Sequence, residues 1–362
     1  MVRMSILVVN VGSSSLKLDV VADDDTVLES AHLSSWDGDV VSIATIISRC
    51  APAAVGHRVV HGGASFRQAQ LLDGAAIESI EALSPLAPLH QPRALAGIHA
   101  AMDAAPHLPH VACFDTGFHS TLPDKAVLYA VPRDWIERLG VRRYGFHGLS
   151  HAYVAERAAA MLGKDAHELR IISCHLGSGA SLCAIDHGES VDTTMGMTPL
   201  EGLVMGTRSG SIDPGIISWL HSEQRLPVSS IIEELELRSG LLGLAGSTDL
   251  DELLHSAEPH ARQATEIYVH RLCAAIAAMA ASMAGFDVLV FTGGVGENVP
   301  RLRGLVAHRL SFLGVQIDGD VNEGVEGDTD ITAEDAVCST LVVAAREDLR
   351  IAAETRAVLA VG

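Results

Sequence analysis

Short apolar runs recur along the chain at 6–9, 111–114, 171–174 and 288–291, each bounded by polar or glycine-containing segments. Their length and their bounding turns predict buried strands. Between them, residues 152–162, 227–238 and 252–284 carry apolar positions at helical spacing, the last stretch interrupted near Pro259. Proline at that point ends one helix and suits the first turn of the next. Strand and helix patterns alternate, so the fold class is α/β.

Two of the strand patterns share more than their class. In 6–20 and 171–185 an apolar run is followed by a polar residue, an apolar residue, Gly-Ser, small residues and a second strand. Asn10 lines up with His175, Gly12 with Gly177 and Ser13 with Ser178. Gly-Ser turns are common, and two unrelated hairpins are the plain alternative. The match runs through the strands as well as the turn, which favours an internal duplication. The first copy ends in Lys17 and invites comparison with the phosphate-binding loop G-x-x-x-x-G-K-[ST]. It holds a single glycine, and Leu16, Leu18, Val20 and Val21 continue as a strand rather than a helix. A third glycine turn, Phe291-Thr292-Gly293-Gly294-Val295-Gly296-Glu297-Asn298, also follows a strand.

Composition narrows the possibilities. Hydrophobic residues make up 48% and charged residues 19% of 362 positions, enough for two domains with a core each. A net charge of −20 counts against nucleic acid or an anionic membrane as partner. The most apolar stretch, 272–285, is shorter than the roughly 20 residues a membrane helix needs; it is expected in a core or a subunit interface. Residues 1–17 show no cationic region ahead of their apolar run, so a cytoplasmic location is expected. Cys50, Cys113, Cys174, Cys183, Cys273 and Cys338 form no C-x-x-C pair, which suits reduced, packed thiols better than disulfides or zinc.

Four segments are too polar for their apolar settings: 56–63, 114–119, 143–151 and 195–214. They place Arg58 and Arg208 in glycine-bracketed loops. A guanidinium there needs an anionic partner, either a structural carboxylate or the carboxylate or phosphate of a ligand. His147, with Gly145 and Gly148 nearby, has room to face a cleft, while His57, His61, His119, His151 and His175 read as structural histidines taken singly. Asp115 follows a strand end, where open α/β sheets place ligand groups. The acidic run 318–335 lacks the spacing of a calcium loop and reads as solvated surface.

Together these segments resemble the acetate kinase family. The resemblance is carried by Asn10-Val11-Gly12-Ser13-Ser14-Ser15-Leu16-Lys17, 56–63, Ala87-Pro88-Leu89-His90, Phe114-Asp115-Thr116, 144–148, His175-Leu176-Gly177, Thr198-Pro199-Leu200-Glu201-Gly202, 205–214 and 291–298, in family order. It implies two duplicated actin-like ATPase (ribonuclease H-like) domains with a cleft between them. The expected division is 1–115 plus 348–362 for the acyl and phosphate side, and 116–347 for nucleotide binding and dimerisation. The implied activity is reversible, Mg²⁺-dependent transfer of phosphoryl from ATP to acetate, giving acetyl phosphate and ADP, in a homodimer; Mn²⁺ is an expected substitute.

By the same resemblance, Arg58 binds the acyl carboxylate or phosphoryl group, Arg208 stabilises the transition state and His147 donates a hydrogen bond to it. Asp115 orients an arginine or acts through the metal, and Asn10 and Glu347 serve Mg²⁺. Val60, Leu89, Phe146 and Pro199 form the acyl pocket. Asn10, Ser13, Ser15, Lys17, His175, Gly177, Ser178, Gly179, Asp249, Gly294, Gly296 and Asn298 line the nucleotide. Departures from the family pattern are Ser178 and Gln91, each where asparagine is usual, Leu250 and Asp251 in place of an aromatic residue and an arginine, and Ala344-Ala345-Arg346 in place of Pro-Thr-Asn. The readings held open beside ATP:acetate transfer are a propionate or other short-chain acyl kinase, a donor such as GTP or pyrophosphate, and a catalytically silent nucleotide sensor.

Overall fold

The computed structural model describes residues 5–12 and 15–361 and divides into two compact units. The first comprises residues 1–120, 146–153 and 346–362; the second comprises 121–145 and 154–345.

In the first unit the strands are β1 (Ile6–Val11), β2 (Leu16–Val21), β3 (Val27–Leu33), β4 (Ala54–Val59), β5 (Gln70–Leu71) and β6 (His110–Phe114). Among the described residues they form one sheet in the order β3-β2-β1-β4-β6-β5. β1, β2 and β3 run as an antiparallel meander, β4 and β6 add in parallel to β1, and β5 closes the edge antiparallel. In the second unit the strands are β7 (Arg170–Leu176), β8 (Ala180–Asp186), β9 (Glu189–Thr193), β10 (Val288–Thr292), β11 (Thr329–Asp330) and β12 (Ser339–Val342). Their order is β9-β8-β7-β10-β12-β11, with the same directions strand for strand. The duplication expected from the two Gly-Ser hairpins therefore extends to whole sheets.

Side-chain alternation explains why these sheets are layered. Along β1, Leu7, Val9 and Val11 face the helices Val41–Cys50 and Gln91–Ala104, packing with Ile43, Ile46, Ala100 and Ala101. Ile6 and Val8 face the other way, onto Ile351 and Ala352 of the helix Glu347–Val361. A strand buried on both faces reads as a continuous apolar run, as 6–9 does.

The helix pattern at 252–284 resolves into Leu250–His255 and Pro259–Ser282, with Pro259 in the first turn. The stretch 272–285 buries Leu272, Cys273, Ile276 and Met279 along one face of that second helix. One expectation is corrected: 293–298 is not an open turn but a short helix, Gly293–Asn298, started by Gly293 at φ +77°. Periodicity over six residues carries no such signal. Within the acidic run, Asp318 caps the helix Gly319–Glu323 and Asp328 accepts the backbone N–H of Ala344 at 2.8 Å.

Candidate active site

The first unit gathers its polar residues at the ends of β1, β4 and β6. Arg58 is the penultimate residue of β4, paired in register with Cys113. One step past β6, the Asp115 N–H donates to the Val59 carbonyl at 3.0 Å and holds the two strand ends together. The Asp115 carboxylate takes Arg58 Nε at 3.0 Å and Nη2 at 2.8 Å, a two-point fork. Nη1 reaches Asn10 Oδ1 on β1 at 3.4 Å. Burial alone would lower the Arg58 pKa, but Asp115 and Glu347 outweigh it and hold the guanidinium above its ordinary value. Arg58 thus has a structural carboxylate along one edge, and its Nη1 edge is only loosely engaged.

His147 stands at φ +57°, in the left-handed region that a residue with a side chain enters at a cost. The next residue explains how it is kept there. The Gly148 N–H donates to the Asp115 carbonyl at 2.8 Å, and a Cβ on Gly148 would overlap that carbonyl. Asp115 and His147 are thereby locked to one another through the backbone. Around them His119 Nε2 donates to the Phe146 carbonyl at 3.0 Å, and the His61 ring meets Phe146 edge-on at 5.4 Å.

Of the expected acyl-pocket residues, Val60 and Phe146 are buried in this unit and Leu89 is exposed, whereas Pro199 belongs to the second unit. The segment after Val60 is held by Gln91. Its side-chain oxygen accepts the His61 N–H at 3.2 Å, and its nitrogen donates to the His61 carbonyl at 2.9 Å. The glutamine that departs from the family pattern therefore has a defined task.

Asn10 and Lys17 are cross-strand neighbours on β1 and β2, and Gly12 N–H to the Ser15 carbonyl at 2.8 Å closes the turn between them. Ser13 and Ser14 lie outside the described residues. Ion pairs join Lys17 to Asp19 at 3.2 Å, Arg346 to Asp348 at 2.8 Å and Arg58 to Asp115. Glu347, half-buried at the start of the last helix, has no ion pair among the described residues. One spare carboxylate and the Asn10 amide oxygen suit Mg²⁺, which commonly takes one or two protein carboxylates and completes its shell from water and phosphate.

In the second unit the turn 177–179 is closed by Gly177 N–H to the Gly179 carbonyl at 3.0 Å. A Cβ built on Gly177 would stand 4.0 Å from the Gly294 nitrogen, and one on Gly206 would stand 3.5 Å from Thr248 and 3.8 Å from the Ser178 carbonyl. Three glycine segments far apart in sequence thus meet, with His175 half-buried at the end of β7. Nothing lies within 4 Å of a Cβ on Gly294, so its missing side chain answers no need of the protein's own packing. Gly296 is buried, and Asn298 donates back to the Gly294 carbonyl at 2.9 Å. Asp249 caps the helix Leu250–His255 by accepting the Glu252 N–H at 3.1 Å, a structural task for a residue expected at the nucleotide. Leu250 is buried and Asp251 lies 3.5 Å from His255.

Arg208 ends a tight turn in which the Met205 N–H donates to its carbonyl at 3.1 Å. Gly240 at φ +61° packs under that turn so closely that a Cβ would overlap the Met205 carbonyl. The guanidinium donates to the Pro199 carbonyl at 3.1 Å and approaches the Met205 sulfur at 3.7 Å, with no ion pair among the described residues. Burial lowers its pKa, and the field of Glu236 offsets this only in part.

Sequence reasoning missed Arg303. It is 1% exposed, and its donors go to the Gly296 and Glu297 carbonyls at 2.9 and 2.8 Å and to Asn322 at 2.7 Å. It caps the C-terminal end of the glycine helix, where a cation is favoured. An arginine five residues past Asn298 carries no signal of that role, because its partners are mostly backbone carbonyls and its one side-chain partner, Asn322, is 19 residues away.

Duplicated sheets, an anion-seeking arginine in each unit and meeting glycine turns in the second are features that suit a phosphotransferase, and comparison with known proteins bears that class out. The family model described as the acetokinase family matches residues 39–353. The acetate kinase of Halothermothrix orenii is 47% identical over 306 residues, covering 83% of this chain and 77% of that one. The crystal structure of Porphyromonas gingivalis acetate kinase superposes with a TM-score of 0.90 at 37% identity, covering 98% of this chain and all of that one. A propionate kinase from Francisella tularensis also superposes at 0.90, with 35% identity and coverage of 97% and 98%. The chain belongs to the acetokinase family.

Proposed function

We propose that the protein is an acetate kinase, transferring phosphoryl reversibly between ATP and acetate to give ADP and acetyl phosphate. The observation that carries this reading is the Arg58–Asp115–His147 group: a half-buried guanidinium held by a buried carboxylate, with His147 tied to the same aspartate through Gly148. Acetate is ionised at pH 7, well above an ordinary carboxyl pKa of about 4, so no general base is needed. The work left to the protein is to hold two anions in line and to balance charge on the moving phosphoryl. Arg58 binds the acceptor, His147 donates a hydrogen bond to the transferring group, and Arg208 meets the charge that develops on it.

Mg²⁺, held by Asn10 and Glu347, would supply charge neutralisation on the phosphates. Val60, Phe146 and Leu89 of the first unit bound the methyl end of the acid. Gly177, Gly179, Gly294 and Gly296 give the nucleotide close approach to the backbone. Ile216, Trp219, Val228, Leu237 and Leu244 expose apolar surface in the second unit, which supports a homodimer. No helix among the described residues is long and apolar enough to cross a membrane, in keeping with a cytoplasmic enzyme.

Hydroxamate trapping of the acyl phosphate, with acetate, propionate and butyrate crossed against ATP, GTP and pyrophosphate, tests the proposal. Acetate with ATP is expected to give the highest kcat/KM. Propionate is expected to be poorer rather than excluded, because one methylene is worth only about 1–3 kcal/mol in an apolar pocket. Absence of product in every combination would sink the kinase reading.

A further inference from the structure

A side-chain cluster in the second unit has no part in the function proposed above. Glu201 is the only carboxylate of the loop 194–202, and both its oxygens are taken. Tyr129 donates its hydroxyl to Oε2 at 2.5 Å, and Arg143 donates Nη2 to Oε1 at 2.8 Å. The same two residues also grip the loop backbone. Arg143 Nη1 donates to the Thr194 and Met195 carbonyls at 3.0 and 2.8 Å, and the Tyr129 hydroxyl accepts the Met197 N–H at 3.0 Å. The guanidinium sits 5.3 Å from the Tyr129 ring centre. Gly196 is enclosed so tightly that a Cβ would overlap both the Glu201 carboxylate and the Tyr129 hydroxyl.

The clamped loop contains the residue that Arg208 leans on. Between the gripped backbone at Met197 and the gripped side chain at Glu201 lies Pro199, whose carbonyl accepts from Arg208 at 3.1 Å. Glu201 itself, two residues away, pairs with Arg143 and, among the described residues, not with Arg208, whose burial-lowered pKa is raised in part by the field of Glu236. The clamp therefore does two things at once. It fixes an oxygen that orients the guanidinium, and it occupies the loop's carboxylate so that the guanidinium keeps its charge for a ligand.

We propose that Tyr129 and Arg143, acting through Glu201, are positioning residues for Arg208: they set where its guanidinium points and keep it free of a resident acid. The proposal rests on Arg208 acting at the transition state. A misplacement of about 1 Å can cost about 10²-fold in rate.

Steady-state kinetics of Tyr129→Phe, Glu201→Gln, Arg208→Ala and the double variant Tyr129→Phe/Arg208→Ala test it, alongside thermal unfolding of each. Tyr129→Phe and Glu201→Gln are expected to lower kcat by about 10- to 10²-fold with little change in either KM. The double variant is expected to be no slower than Arg208→Ala alone, because the clamp has nothing left to aim. Glu201→Gln is also expected to bring Tyr129 ionisation to lower pH, read as the alkaline difference spectrum against Tyr129→Phe. If Tyr129→Phe does not fold, Glu201→Gln carries the test, since it removes a charge at constant shape.

Wild-type kcat in folded Tyr129→Phe and Glu201→Gln, beside an inactive Arg208→Ala, overturns the clamp alone. Full activity in Arg208→Ala removes the transition-state reading and the clamp with it. A double variant slower than Arg208→Ala by the full Tyr129→Phe factor also overturns the proposal, because the two residues then act separately.

Discussion

Arg58 and Arg208 look alike along the chain, each an arginine in a glycine-bracketed segment, yet the fold treats them in opposite ways. Arg58 lies on a strand, forked onto a buried carboxylate, with its charge reinforced by Asp115 and Glu347. Arg208 ends a tight turn, leans on a backbone carbonyl, and is desolvated without an ion pair among the described residues. The first is part of the scaffold as well as of the proposed site. The second is held ready at an electrostatic cost that a bound anion would relieve. Under the proposed function the first would anchor an anion and the second would answer charge that appears later.

The largest expected effect comes from breaking the first of these. Arg58→Ala removes the guanidinium forked onto the Asp115 carboxylate, which is 2% exposed. It should abolish measurable turnover and also lower stability by on the order of 3 kcal/mol, as loss of one member of a buried pair does. Turnover assay and denaturant unfolding on the same preparation read both. Arg208→Ala should separate the two arginines. Turnover should fall by about 10²–10³-fold, the range for losing one preorganised donor to a developing charge, while the unfolding midpoint stays close to wild type. Equal loss of nucleotide binding and of turnover would mean that Arg208 anchors the ground state, and the contrast would dissolve.

The smallest effect distinguishes the sheets rather than the arginines. In the first unit His57 Nε2 and His110 Nδ1 lie 3.0 Å apart between β4 and β6, and His110 Nε2 is 3.1 Å from the Ala105 carbonyl. A carbonyl only accepts, so His110 donates there and accepts from His57; both rings are neutral. Burial lowers both pKa values, with His110 lowering that of His57 further. The unfolded chain therefore binds more protons below the ordinary histidine pKa of about 6.5. Stability is fully present above that pH and declines as the pH falls through it towards the lowered folded-state values. The equivalent strands β10 and β12 carry no ionisable side chain. Replacing the pair, as in His57→Gln/His110→Gln, should flatten unfolding free energy against pH between about 6.5 and 5. An unchanged slope would place the acid sensitivity elsewhere.

Much of the fold was legible because it rests on local signals. The runs at 6–9 and 171–174 mark the central strands, and the match between their hairpins announced a duplication that the two sheet orders carry throughout. Arg58, Asp115 and His147 stood out as polar residues in apolar surroundings. What could not be read were the partners. Arg58 and Asp115 are 57 positions apart, and nothing near either one names the other. The left-handed turn at Gly293 that starts a helix, the buried place of Leu250 in a six-residue helix and the capping role of Arg303 all depend on tertiary neighbours. Family resemblance pointed to residues, while geometry distinguished a guanidinium forked onto a carboxylate from one that has no ion pair among the described residues.

Gly148 carries a consequence of a different kind. Its missing side chain is what lets the backbone after His147 close onto the Asp115 carbonyl. Every other amino acid adds a Cβ there, so size, charge and polarity are beside the point. Every base change in its codon that alters the amino acid therefore meets the same obstruction, leaving only synonymous changes silent. The position has no conservative neighbour in the genetic code, and a saturation library at Gly148 should return glycine almost alone.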